Sequence, residues 1–211
     1  MTGIPLFEDH EEGLIEKYEG PGEKIFTVSG LTGVGTGTLS ELLAEHYGLE
    51  HIDAGHFFRE KAEEHGMSIN EFRSEAERIE EEENVDFDQE WDRTALEYAF
   101  KKDELLLEAR LSGVLLQDIA EVRVWVECDP RTVAERLKGR ETLAEKIPAE
   151  DVNVEEIVDH IQQRNQEDLE TYREKYGVDP SKEEYYNIVI DNSRELEEVK
   201  RELFQKVSGL V

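Results

Sequence analysis

The stretch Gly30-Leu31-Thr32-Gly33-Val34-Gly35-Thr36-Gly37-Thr38 constrains this chain more than any other. An apolar run, Ile25-Phe26-Thr27-Val28, precedes it, and an amphipathic pattern, Leu39, Leu42 and Leu43, follows. That order reads as strand, glycine-rich loop, helix. Glycines let the backbone curl so that several N–H groups converge on one anion. The helix N-terminus behind them adds positive potential. The general pattern is G-x-x-x-x-G-K-[ST], in which Lys reaches the outer phosphates and the hydroxyl meets Mg²⁺. Gly30 and Gly35 fit it, but Thr36 stands at the Lys position and Gly37 at the Ser/Thr position. A phosphate loop is expected over Gly30, Gly33, Val34, Gly35, Thr36, Gly37 and Thr38. Its missing charge must come from elsewhere, and Thr36 or Thr38 can offer the hydroxyl to Mg²⁺. A tight strand-to-helix turn without a ligand is the alternative.

From Glu23 onward short apolar runs alternate with helical patterns. Strands are expected at 24–29, 50–53, 104–108, 122–127 and 186–190. The β-branched Val124, Val126, Ile188, Val189 and Ile190 suit buried strands. Helical patterns lie at about 38–47, 56–65, 69–82, 87–101, 131–140, 154–175 and 194–207. Strands spaced by helices imply an α/β fold with a parallel sheet covered on both faces. Ligands then bind outside the carboxyl ends of the strands. The glycine loop, Ala54-Gly55, Ala109-Arg110 and Cys128-Asp129 all fall on that edge. Residues 1–23 read as an acidic N-terminal extension, a tail or a short docking helix, ahead of one domain over 24–211. The weakly patterned stretch around 141–153 suggests a mobile lid between two long helices.

Charge narrows the setting. Asp and Glu number 53 against 24 Lys and Arg, a formal net charge of −29. Such a surface repels itself at ordinary salt. At ~1 M salt the Debye length falls to about 3 Å and the repulsion is screened, so a cytoplasm with molar salt is the simplest setting. An acidic protein with a basic partner is the rival. The acidity argues against nucleic-acid binding, which needs a basic face, but not against a nucleotide pocket with a few focused arginines. No run approaches 18 apolar residues, so no membrane span is expected. No signal peptide is read, and the single Cys128 fits a cytoplasmic location.

In a chain so short of cations, arginines near the ligand edge stand out. Arg59 follows Asp53-Ala54-Gly55, Arg110 follows the third strand, Arg136 and Arg140 are i,i+4, and Arg164 lies on the long helix after the irregular stretch. Phosphoryl transfer is mostly positioning and charge stabilisation, which planar, always-charged donors serve well. Surface ion pairs with nearby Glu are the plainer reading of each arginine. Glu108 ends a Leu-rich strand at the ligand edge and either orients a metal-bound water or pairs with Arg110. Asp88 and Asp92, i,i+4 with Arg93 beside them, either read a base or ribose or form a solvated face.

The blocks together resemble the archaeal cytidylate kinases of the nucleoside monophosphate kinase group. The stretch from Ser29 to Thr38 is similar to a variant loop in which Thr replaces the Lys. Asp53-Ala54-Gly55-His56-Phe57-Phe58-Arg59 resembles A-G-x-x-F-R, whose Arg holds the acceptor monophosphate. Asp88-Gln89-Glu90-Trp91-Asp92-Arg93 resembles D-x-x-x-D-R, and Leu107 to Gly113 resembles L-E-G-R-L-A-G. The arginines of Ala134-Glu135-Arg136-Leu137 and Arg140-Glu141 resemble the pair opening the lid. Arg164, Tyr172 and Tyr176-Gly177-Val178-Asp179 resemble the element closing it, and Tyr186 to Ser193 the last strand.

The resemblance covers about residues 24–207. It implies a P-loop kinase-like, three-layer fold with a five-stranded parallel sheet, a helical monophosphate-binding insert at about 54–101 and a lid at about 141–164. It implies phosphoryl transfer from ATP, with Mg²⁺, to CMP and to dCMP. The loop residues hold ATP. Asp53, Gly55, Arg59, Asp88, Asp92, Arg93 and Arg110 hold the monophosphate. Arg136, Arg140 and Arg164 act on the transferring group, and Thr36, Thr38 and Glu108 serve the metal. The expected partners are small-molecule nucleotides, met by a monomer. Gly37, Thr94, Ala109 and Thr171 depart from the family pattern. Two alternatives stay open: a P-loop kinase acting on AMP or another small molecule, and a nucleotide-binding module that transfers weakly or not at all.

Overall fold

In the computed structural model, residues 4–18, 20–138 and 153–211 are described. Five parallel strands form one sheet: β1 (Lys24–Gly30), β2 (Glu50–Asp53), β3 (Glu104–Glu108), β4 (Val122–Glu127) and β5 (Ile188–Asp191). Their order is β2-β3-β1-β4-β5. The register sets Val28 beside Glu108 and Asp53 beside Glu108. It also sets Gly30 beside Val126 and Glu127 beside Asp191. The carboxyl ends of all five strands therefore finish along one edge, as the sequence predicts.

Helices cover both faces, which is why the central strands read as nearly continuous apolar runs. On one face Ile25, Leu105 and Leu107 pack with α5 (Phe87–Lys101), including Trp91, Ala95, Leu96 and Ala99. On the other, Phe26, Leu106 and Val124 pack with α2 (Thr36–Tyr47), α7 (Pro130–Leu137) and α9 (Leu196–Val207) through Leu39, Val133 and Leu203. Between β2 and β3 the chain is helical: α3 (Ala54–Glu64), α4 (Ile69–Glu83) and α5. Each begins on an N-cap, Asp53, Ser68 or Asp86, that accepts a backbone N–H three residues on. The capping box of Ser68 with Glu71 makes the start of α4 legible in sequence.

Three features depart from the sequence reading. The short helix α6 (Ser112–Leu115) follows β3 unannounced. The last strand starts at Ile188, because Tyr186 closes a 3₁₀ turn over Glu183–Tyr185 and turns its ring onto Trp125, with centroids 5.1 Å apart. The helix expected over 131–140 ends at Leu137. The N-terminal extension, read as a tail or a short docking helix, contains the helix α1 (Pro5–Tyr18), with Phe7 and Leu14 buried and Ile4 buried just before it. Of the expected lid, residues 153–164 enter the long helix α8 (Val154–Tyr176), whose capping box is Asn153 with Glu156. Residues 139–152, Arg140 among them, lie outside the described residues.

Candidate active site

The glycine loop joins β1 to α2. Gly33 and Gly35 have φ of 81° and 93°, a region that disfavours side chains. Gly35 is the N-cap of α2 and has no side chain to occupy the first-turn N–H groups. That end of the helix is left facing outward, as an anion site requires. A Cβ on Gly35 would meet Asn192 Nδ2 at 2.4 Å. Asn192 is buried and donates to the Val34 carbonyl at 2.7 Å, so a residue beyond β5 braces the loop from behind.

A cleft of about 450 Å³ opens in front. Its lining includes Gly30, Gly33 and Thr36 from the loop, Asp53 and Gly55 from the start of α3, Asp88 and Asp92 from α5, and Glu108 and Arg110 from the end of β3. Phe58, Trp91 and Tyr172 supply aromatic wall. Four carboxylates and one cation, Arg110, are among the described lining residues.

Arg110 is the hinge of the cleft's charge. Its Nη2 donates to Thr32 Oγ1 at 3.0 Å and lies 3.2 Å from Asp168 Oδ2 on α8. Burial opposes its charge, but Tyr172 and Asp168 beside it outweigh that and raise its pKa. Asp168 is pushed up by burial, against the pull of Arg110 and Arg164, and its buried Oδ2 has no partner in hydrogen-bonding geometry. Asn165, one turn earlier, accepts the Thr32 N–H at 3.1 Å. Thus α8 lays a side-chain oxygen on a loop N–H and a carboxylate on the cleft arginine, the two kinds of donor a phosphate would use.

At the other side of the loop Thr36 Oγ1 donates to Glu108 Oε1 at 2.6 Å. Glu108 Oε2 is 2.9 Å from His51 Nε2, and that hydrogen bond raises the imidazole pKa despite burial. The pairing of Glu108 with Arg110 is therefore corrected: β3 sends consecutive polar side chains to different partners. A Cβ on Gly37 would lie 3.6 and 3.8 Å from the two Glu108 oxygens. A hydroxyl residue there would fit.

Asp92 is 4% exposed and accepts from the Tyr176 hydroxyl at 2.7 Å. Burial raises its carboxyl pKa to about 7, against the Tyr176 hydrogen bond and with the help of nearby Asp88. Burial also pushes Tyr172 up to about 12. Trp91 is both core and wall.

The remaining expected residues stand apart. Arg59 is exposed and 3.5 Å from Asp53, which caps α3 by accepting from His56 N at 2.6 Å. Thr38 and Arg93 are exposed and outside the lining. Arg164 is exposed near Asp168. Arg136, expected over the transferring group, instead donates to the carbonyls of Asn192 at 2.7 Å and Arg194 at 3.3 Å. α7 ends at Leu137, and Arg140, which helical spacing groups with Arg136, lies outside the described residues. Asn165, Asp168 and Asn192 were not singled out in the sequence. A signal existed for two of them: Ile161, Asn165, Asp168, Tyr172 and Tyr176 run along one helical face.

Comparisons with known proteins agree with this geometry. A family model described as an AAA domain matches residues 27–161. A cytidylate kinase of Methanopyrus kandleri is 38% identical over 179 residues, 81% of this chain and 85% of the relative. Cytidylate kinases of Pyrococcus horikoshii and Methanococcus vannielii are 37% and 34% identical, covering 81% of this chain and 80% and 91% of theirs. Among solved structures, a shikimate kinase from Bacteroides thetaiotaomicron aligns with TM-score 0.59 at 15% identity, covering 89% of this chain and 97% of that one. A gluconokinase from Sinorhizobium meliloti aligns with TM-score 0.51 at 16% identity, covering 90% and 93%. These two share the fold, and the sequence relatives establish that the chain belongs to the cytidylate kinase family of nucleoside monophosphate kinases.

Proposed function

We propose that this chain transfers the γ-phosphoryl group of ATP to CMP, and to dCMP, as a monomer in a salt-rich cytoplasm. The observation that carries the reading is that one cleft is lined both by the glycine loop that leads into the uncapped N-terminus of α2 and by Arg110. Donor phosphates belong on the loop N–H groups. The acceptor phosphate belongs on Arg110, where it replaces Asp168, with Arg59 swinging in from the rim. An oxygen of the acceptor phosphate attacks the γ-phosphorus, a new P–O bond forms, and the bond to the bridging oxygen breaks to release ADP. The acceptor is already an anionic nucleophile, so no general base is required. Catalysis rests on alignment and charge.

The residues present fit Mg²⁺. Glu108 and Thr36 give hard oxygen donors beside the loop, the type this ion takes. When bound, it supplies positive charge across the donor phosphate oxygens. Four carboxylates against one arginine among the described lining residues make that charge, with Arg164 of α8, a requirement for holding two polyanions. Thr36 cannot supply it, having a hydroxyl where most such loops carry Lys.

The base is read at the Asp88–Asp92 end. Cytosine offers an amine donor that uracil lacks, and a buried acceptor left unpaired by the wrong base is costly. Calorimetric titration in ~2 M KCl tests this. CMP should bind at least tenfold tighter than UMP, and Asp92→Asn should narrow the gap. Equal affinity for CMP, UMP and AMP would overturn the assignment.

A further inference from the structure

The sequence leaves residues 1–23 without a role, and the structure packs α1 against α5. Phe7 is fully buried and Ile4 nearly so, in the same core as Trp91, Ala95 and Leu96 of α5. The connector is fixed too: Gly22 N donates to the Ala99 carbonyl at 2.8 Å. A Cβ at Gly22 would fall 1.9 Å from the Lys102 carbonyl oxygen, so the chain lies hard against the end of α5. From α1 the Phe7 ring meets Tyr176, the last residue of α8, with centroids 5.7 Å apart. Tyr176 stacks on Tyr172 at 6.3 Å and donates to Asp92 in the cleft. Lys175 pairs with Asp86 at the start of α5.

We infer that α1 is a positioning element of the acceptor pocket. Phe7 presses Tyr176 against α5, and Tyr176 in turn holds the Asp92 carboxylate and the Tyr172 ring at the cleft wall. The inference rests on the acceptor reading above and adds to it a residue that touches no nucleotide. Its physical basis is the direction of the contacts. Tyr176 spends its hydroxyl on a cleft residue while its ring packs against Phe7 of α1, so loosening one frees the other. A hydrogen bond of this kind governs about a fivefold change in affinity when lost. The donor side is reached by none of these contacts.

The test uses the full chain with Phe7→Leu, Phe7→Ala, Tyr176→Phe and the exposed-site control Ile15→Ala. Phe7→Leu keeps the site apolar and protects against loss of folding in Phe7→Ala. Each variant is assayed for kcat, for KM of CMP and of ATP, and for melting temperature. Phe7→Leu and Tyr176→Phe should raise the KM for CMP about fivefold with the KM for ATP within twofold. The double variant should be little worse than Tyr176→Phe alone. A fall in melting temperature with unchanged KM for CMP, or an equal rise in both KM values, would overturn the inference and leave the acceptor reading intact. A wild-type chain that does not phosphorylate CMP would overturn both.

Discussion

Gly37 is the departure that most tests the reading of the loop, and Gly37→Ser gives a prediction of gain rather than loss. The backbone does not need glycine here, since residue 37 is not among the positive-φ glycines. A new Cβ would make ordinary contacts of 3.6 and 3.8 Å with Glu108 Oε1 and Oε2. Replacing Gly by Ser inside a helix recovers about 0.5 kcal/mol of backbone propensity. For a chain of this size that corresponds to roughly 1–2 °C in melting temperature. The added hydroxyl joins Thr36 and Glu108 as a third hard oxygen, worth about 1 kcal/mol in metal affinity. The half-saturating Mg²⁺ concentration for ATP-dependent turnover should therefore fall about fivefold. The assay is a Mg²⁺ titration of initial rates in ~2 M KCl, paired with thermal melts without nucleotide. A variant that melts several degrees lower, or that needs more Mg²⁺ than the wild type, would refute both the placement of Glu108 and the assignment of the metal to it.

Three further outcomes are expected. Arg110→Gln removes the one lining cation among the described residues and should lower kcat/KM for CMP by ~10²-fold or more, read from steady-state rates. Asp92, with a folded pKa of about 7 above the ordinary carboxylate value, costs the fold increasingly as pH rises from about 4 to 7. Asp92→Asn should therefore gain stability relative to wild type across that window, by up to the order of 4 kcal/mol, in denaturant melts at pH 5 and pH 8. A net charge of −29 predicts that the melting temperature climbs steadily between ~0.2 and ~2 M KCl, because screening relieves carboxylate repulsion.

How far the sequence could be read follows from the range of the forces involved. β3 is legible because burial on both faces demands an apolar run, β4 because of its β-branched valines, and α4 and α8 because local capping boxes announce them. The glycine loop is legible because its backbone conformation is local. Its partners are not. Asn192 lies 158 residues from Val34, and Asn165 lies 133 from Thr32. No local pattern distinguishes Asn192 from a solvated asparagine, and only the helical face shared with Ile161 and Tyr172 marks Asn165. Arg136 shows the converse: its helical spacing says nothing of the distant carbonyls of Asn192 and Arg194, after β5, to which its guanidinium donates. Glu108 and Arg110 look like a pair by proximity in sequence, yet Thr36 and Asp168 claim them separately.

The central claim is that a cleft with one arginine and a lysine-free loop still transfers phosphate. Formation of CDP from ATP and CMP, followed directly in ~2 M KCl with Mg²⁺, tests it. The account predicts steady turnover, roughly 1–100 per second, abolished by chelating the metal. Tight binding of both nucleotides with no CDP formed would contradict it.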